Sequence, residues 1–217
     1  MSDIPDELRR PLLDAANPHI PFDGWTMKAL EAGAEDLGID KGMVKLIFPA
    51  GPQDAIDYLA ASSDADMILH ASNLKLDEMR LNEKITALVK LRIQAEEPYR
   101  EAAQKAVSWL AMPQNQPLGL KMLYRTVDLM WKTTHDPSTD YNFYTKRLTL
   151  SAVYSSTFLY WLNDSSEDYA DTWAFLDRRI GNILQFEKNK AKFLNKFDKF
   201  PNIWEKFGQM RYPQSHP

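Results

Sequence analysis

Apolar side chains recur along this chain at helical rather than alternating spacing. Leu81, Ile85, Leu88, Val89 and Ile93 mark one face of a helix predicted over 75–95. Leu120, Leu123, Val127, Met130 and Trp131 do the same over 118–134. A helix opens at Pro98 and runs to Met112, where Pro113 and Pro117 mark a loop. Trp173, Leu176, Ile180, Ile183 and Leu184 lie on a long helix from about 167 to about 197. Between these, residues 148–162 carry no charge and neither Gly nor Pro. That run is too short to span a bilayer as a helix and too long for a typical strand. A helix apolar nearly all round belongs in the middle of a bundle, covered on every side. No alternating run is bounded by a hairpin turn, so the predicted class is all-α.

The first 60 residues have a finer grain. Residues 7–16 form a short helix stopped by Pro18 and Pro21, and Phe22-Asp-Gly-Trp25 is a turn. Thr26 is placed to cap 27–37, Leu37-Gly38 to stop that helix, and Asp40 to cap 41–47. A further helix starts near Gln53, after Pro49 and Pro52. Three short helices with a Gly-containing turn between the second and third read as a helix-turn-helix. Followed by a larger helical body, this order resembles the TetR family of transcriptional regulators, with 37–49 where turn and recognition helix would lie. The expected organisation is a helix-turn-helix subdomain over 1–60, a helical body over 61–197, and an amphipathic segment over 198–217.

Charge changes that picture. Residues 1–60 hold eleven acids and five bases, a net of −6, and the recognition segment offers only Lys41 and Lys45. Duplex binding draws on Lys and Arg at phosphates, so the segment is expected to be a packing unit, with no nucleic-acid partner. Residues 186–212 carry the opposite sign, a net of +4. The chain has 217 residues, 44% hydrophobic, and no Cys, which excludes disulfides, a thiol nucleophile and Cys-ligated metal. Catalytic motifs are missing: there is no phosphate-binding Gly loop, no Gly-x-Ser-x-Gly, no His-Glu-x-x-His and no Glu-x-x-His. His19, His70, His135 and His216 are scattered, and Asp64-Ala-Asp66 is expected in an exposed loop or at a helix cap. No enzyme, metal or cofactor is expected. The acidic, run-free N-terminus reads as neither a secretory signal nor a transit peptide. The expectation is a bacterial cytoplasmic protein, peripheral to the inner membrane.

Three stretches bear on partners. The aromatics of the body either pack as core or line a cavity for an apolar ligand. The C-terminal mix of Phe197, Lys199, Ile203, Trp204, Lys206, Phe207 and Arg211 either docks on its own domain or lies on an anionic membrane. Asp140, Asn142, Phe143, Tyr144 and Arg147 mix charge and aromatics ahead of the apolar run. They form a recognition surface or cap the helix.

The runs Thr139-Asp-Tyr-Asn-Phe-Tyr-Thr-Lys-Arg147, Leu150-Ser-Ala-Val-Tyr154, Leu159-Tyr-Trp-Leu162 and Thr172-Trp-Ala-Phe-Leu-Asp-Arg-Arg-Ile180 resemble the coenzyme Q biosynthesis lipid-binding protein family, that of coenzyme Q protein nine. So do Pro21-Phe-Asp-Gly-Trp25 and Leu123-Tyr-Arg-Thr-Val-Asp128. The resemblance implies a TetR-like fold without DNA binding, a homodimer, and a pocket for an isoprenoid or phospholipid ligand. It further implies docking through the 140–147 patch to the di-iron demethoxyubiquinone hydroxylase, and membrane contact by the C-terminal segment. Where that family has Asn-Trp-Tyr, this chain has Asn142-Phe143-Tyr144. On this reading Leu123, Val127, Met130, Val153, Tyr154, Phe158, Trp161, Trp173 and Leu176 line or close the cavity. The protein would be non-enzymatic, presenting polyprenyl quinone precursors to the hydroxylase. The alternative is a ligand-responsive TetR-type regulator.

Overall fold

The computed structural model describes residues 6–135 and 141–197, with side chains over 7–135 and 144–183. Every regular element within them is helical: α1 (Asp6–Ala16), α2 (Ile20–Asp23), α3 (Met27–Asp36), α4 (Val44–Ile47), α5 (Pro52–Ala71), α6 (Leu81–Ala95), α7 (Arg100–Leu110), α8 (Gln116–Thr133), α9 (Tyr141–Trp161) and α10 (Ala170–Phe197). Residues up to Leu176 form one unit, and α10 beyond it belongs to a second. No helix among the described residues is long and apolar enough to cross a membrane.

The predicted caps are in place. Thr26 Oγ1 accepts from Ala29 N at 3.3 Å, and Asp40 Oδ1 accepts from Gly42 N at 2.7 Å. Gly38 follows α3 with φ 67°, the left-handed backbone that ends a helix most cheaply at glycine. Gly33 has a different reason to be glycine: a Cβ there would sit 2.5 Å from the backbone of Ala16, so α1 and α3 cross too closely for any side chain. The segment expected as a recognition helix is one 3-10 turn, Lys41–Met43, and the four residues of α4.

The first core joins α1 to α5 with α7. Leu12, Leu13, Ile20, Leu30, Val44, Ile47, Phe48 and Ile56 are buried with Tyr99 and Ala102. Trp25 fixes the junction, its indole N–H donating to Ala102 O at 2.8 Å. The boundary expected at residue 60 falls inside α5, a single 20-residue helix.

The uncharged run lies in α9 as expected, but it is not covered on every side. Leu150, Val153, Tyr154, Thr157 and Trp161 are buried, while Leu148 is 74% exposed and Leu159 and Tyr160 also reach solvent. Apolar content says how much surface can be buried; neighbouring helices decide which face is.

The α9–α10 turn is held from two sides. Arg100 donates to Trp161 O at 2.7 Å and to Asp164 O, and its guanidinium lies 5.1 Å from the Tyr169 ring. Asp164 accepts from Ser166 N at 2.8 Å, Thr172 N at 2.8 Å and Thr172 Oγ1 at 2.6 Å. Burial pushes the Asp164 carboxyl up, but these hydrogen bonds outweigh it and bring its pKa from 3.8 to about 2. A depressed carboxylate stabilises the fold above its unfolded pKa and loses that contribution as pH falls through the folded value. Asp164→Asn is therefore expected to cost about 1.5–3 kcal/mol at pH 7, the loss of hydrogen bonds to a charged group. In urea titrations the gap to the parent should hold down to about pH 4 and narrow as pH falls towards about 2.

Candidate functional site

Helices α5 to α9 leave a cavity of about 220 Å³ between them. Ile56, Leu59 and Ala60 of α5, Ala103, Ala106 and Leu110 of α7, Met122 and Leu123 of α8, and Tyr154 and Phe158 of α9 make most of its wall. The small residues of α7 keep that helix from filling the space. Met and Leu opposite are flexible enough to reshape it. At 220 Å³ the cavity is below the ~300–1,000 Å³ of typical ligand pockets.

One side of this apolar wall is polar. Arg92 on α6 and Glu96 at its C-cap, four residues apart, both line the cavity and form an ion pair. Behind them Asp64, buried within α5, accepts from Arg92 Nε at 2.7 Å, Arg125 Nε at 3.1 Å and Thr126 Oγ1 at 2.8 Å. Arg125 also pairs with Asp57, which Lys121 reaches at 3.1 Å. Burial works against both charges, but the partners win: Arg125 and Lys121 hold Asp57 below its ordinary range, and Glu96 and Asp64 hold Arg92 above its own. Asp64 was expected in an exposed loop or cap; it is instead the hub of an interhelical network. The signal was available. Arg92 sits one turn from Leu88 and Val89 on the apolar stripe, where an arginine has to bring its own acceptors.

Of the nine residues expected at a cavity, the structure brings three to it: Leu123, Tyr154 and Phe158. Val127, Met130, Val153, Trp161 and Leu176 are buried but not in its wall. Trp173 is half-buried, its indole N–H on Asp168 O at 2.9 Å and its ring 5.5 Å from Lys90 Nζ. The walls from α5, α6 and α7 were not anticipated. Their apolar residues carry no mark in sequence that separates a lining position from a core one.

Of the expected partner surface, Tyr144 is 72% exposed. Arg147 is not available as a surface anchor here. It is 9% exposed and grips Asp128 through Nε and Nη2, both at 2.8 Å, tying α9 to α8. Asp140 lies outside the described residues, as do the side chains of Asn142 and Phe143. The side chain of Phe197 and all of Lys199, Ile203, Trp204, Lys206, Phe207 and Arg211 lie outside them too. In the helix-turn-helix segment, Lys28 pairs with Asp23 at 2.7 Å and Lys41 with Glu35 at 2.8 Å. Both pairs lie at the surface, the Lys28 side chain 78% and the Lys41 side chain 57% exposed.

Comparison with known proteins adds the lineage. A sequence model of the COQ9 family matches residues 116–187, covering α8, α9 and the first part of α10. The chain is 32% identical over 185 residues to "Ubiquinone biosynthesis protein COQ9, mitochondrial" of Rattus norvegicus, and 31% identical to the Homo sapiens protein of that name. Each alignment takes in 82% of this chain, but it spans only 59% and 58% of the two relatives' lengths. The Drosophila melanogaster protein is 30% identical over 187 residues. Among solved structures, a TetR transcriptional regulator from Nitrosomonas europaea ATCC 19718 superposes with a TM-score of 0.67 at 22% identity, over 81% of this chain and 97% of that one. At that identity the likeness is one of fold. The expectation of a bacterial cytoplasmic protein is overturned, since these COQ9 relatives are mitochondrial proteins. The chain is therefore homologous to the COQ9 proteins over most of its own length and has a TetR-like all-α fold.

Proposed function

We propose that this chain acts in ubiquinone biosynthesis as a non-enzymatic accessory protein that binds a lipid in the cavity between α5 and α9. The ligand is an isoprenoid, a polyprenyl quinone precursor, and no separate cofactor is used. The observation that carries the reading is the apolar cavity, part of whose wall comes from the region matched to COQ9. Prenyl carbons are almost insoluble in water, each buried one being worth about 0.8 kcal/mol. A carrier that lifts such a chain from a bilayer must offer a comparably apolar interior. The cavity takes a ring or a short length of tail, and the rest of a long tail requires the surrounding helices to part.

In this reading the basic, aromatic segment 197–211 rests on an anionic membrane, and the exposed face at Tyr144 and Leu148 meets the di-iron hydroxylase that receives the ligand. The protein works as a homodimer and has no nucleic-acid partner, in keeping with the net charge of −6 over residues 1–60. The test is mass spectrometry of the solvent extract of purified full-length chain, together with uptake of a prenylated quinone from vesicles. Near-stoichiometric prenylated or acyl lipid is the expected result. Lipid-free protein from several purification conditions, with no uptake, overturns the reading.

A further inference from the structure

The corner where α7 turns into α8 shows apolar side chains to solvent. Met112 is 46% exposed, Leu120 67% and Tyr124 53%, and Trp109, three residues before Met112, is half-buried. Leu120 and Tyr124 stand four residues apart on α8, so they share a face. The corner is tied to itself: Asn115 N donates to Met112 O at 2.9 Å, and Asn115 Nδ2 donates to Trp109 O at 2.9 Å. Its charge is one-sided. Residues 102–127 contain Lys105, Lys121 and Arg125 and no acid. Lys105 is exposed, and Lys121 keeps 67% of its side chain exposed although it reaches Asp57 of α5. Asp57 is answered by Arg125 as well, so the local balance stays positive. An isolated exposed apolar residue needs no explanation, but a group of them on one acid-free corner marks an interaction surface. The same corner is a wall of the cavity. Leu110 of α7 and Gly119 and Met122 of α8 line it and are themselves only half-buried. The partition between the cavity and its surroundings is therefore a single side chain thick there.

We propose that the α7–α8 corner docks on an anionic lipid surface and is where the ligand passes between bilayer and cavity. Trp109, Met112, Leu120 and Tyr124 enter the layer between headgroups and acyl chains, and Lys105 and Lys121 meet lipid phosphates. Indole and phenol rings favour that layer, being apolar in body and polar at one edge. Lysines beside them add attraction to anionic headgroups. An acidic protein partner would find two cations here, but it would not call for an apolar cavity directly behind the surface. A bilayer does, because it holds the prenyl carbons that the cavity takes up. A tail that slips past Leu110 and Met122 exchanges one apolar surrounding for another and keeps its carbons out of water. This contact is additional to the one proposed for segment 197–211.

The passage rests on the lipid-binding reading, whereas the docking does not, and the test separates them. The chain has no Cys, so Leu120→Cys places a single environment-sensitive fluorophore on the full-length protein. Lys75→Cys is the control, near the other end of α8, where Asp77 lies 3.7 Å from His135. With vesicles of phosphatidylcholine and phosphatidylglycerol, emission from position 120 should shift to the blue and emission from position 75 should not. Leu120→Glu combined with Tyr124→Glu should melt like the parent, since both side chains are mostly exposed. That double variant should take up a prenylated quinone from the vesicles at least about tenfold more slowly, and bind a short-tailed quinone from free solution within about twofold of the parent, the effect of two lost membrane anchors on an intact cavity. No shift at position 120, whether or not the chain floats with the vesicles, overturns the docking. A shift that needs no vesicles and grows with protein concentration assigns the corner to a second copy and overturns it too. Unchanged uptake by the double variant overturns the passage while the lipid cavity stands. If position 120 shifts but the parent neither holds lipid nor takes up quinone, the docking stands and the lipid reading fails, the passage with it.

Discussion

Asp64→Ala is expected to destabilise the fold by about 3–5 kcal/mol, the cost of leaving a buried charge network without one of its members. Asp64 is 2% exposed and accepts from Arg92, Arg125 and Thr126 at once. Removing its carboxylate leaves the Arg92 Nε and Thr126 Oγ1 donors without their acceptor. The companion variant is Arg92→Met, which removes the charge that Asp64 and Glu96 were paired with but keeps an apolar side chain of similar length. The double variant should recover part of the loss. Fully replacing a buried ion pair by apolar groups is often neutral, whereas breaking one is not. Denaturant titrations of both single variants and the double give the coupling directly. A loss below about 1 kcal/mol for Asp64→Ala would mean that the network contributes little and that packing alone joins α5, α6 and α8.

Ala106→Leu is expected to separate stability from ligand binding, moving them in opposite directions. Ala106 lines the cavity from α7. If the space beside it is a true void, the added carbons fill it, and the fold should hold or gain about 0.5–2 kcal/mol. Binding of a prenylated quinone should fall at least about tenfold, the equivalent of about 1.4 kcal/mol. If the helices were already close-packed there, the same change would cost about 1–3 kcal/mol through forced rotamers. Thermal or chemical denaturation alongside a binding titration reads both signs in one set of samples. Retained affinity in a stabilised variant would place the ligand outside this cavity.

The helices themselves were legible in the sequence because their causes are local. Thr26 and Asp40 cap, Gly38 stops, and the spacing of Ile85, Leu88, Val89 and Ile93 marks a buried face, all within a few residues. The all-α class and the helix-turn-helix order followed from these, and the block around 139–180 carried the family. The long-range choices were not legible. Which side of α9 meets solvent depends on where its neighbours lie, so Leu148 is outside although its run is as apolar as any core. Arg147 looked like a surface anchor, yet Asp128 on α8 draws it inward. Asp64 read as a loop acid, but its burial requires Arg92, Arg125 and Thr126, which are 28, 61 and 62 residues away. The cavity is the extreme case. It is a volume left unfilled by five helices, and no single residue among Leu59, Ala106, Leu123 or Phe158 differs in kind from those that pack solidly. Local hydrogen bonding and hydrophobic period write the elements into the sequence. Where the charges pair and where the packing fails is decided only when the helices meet.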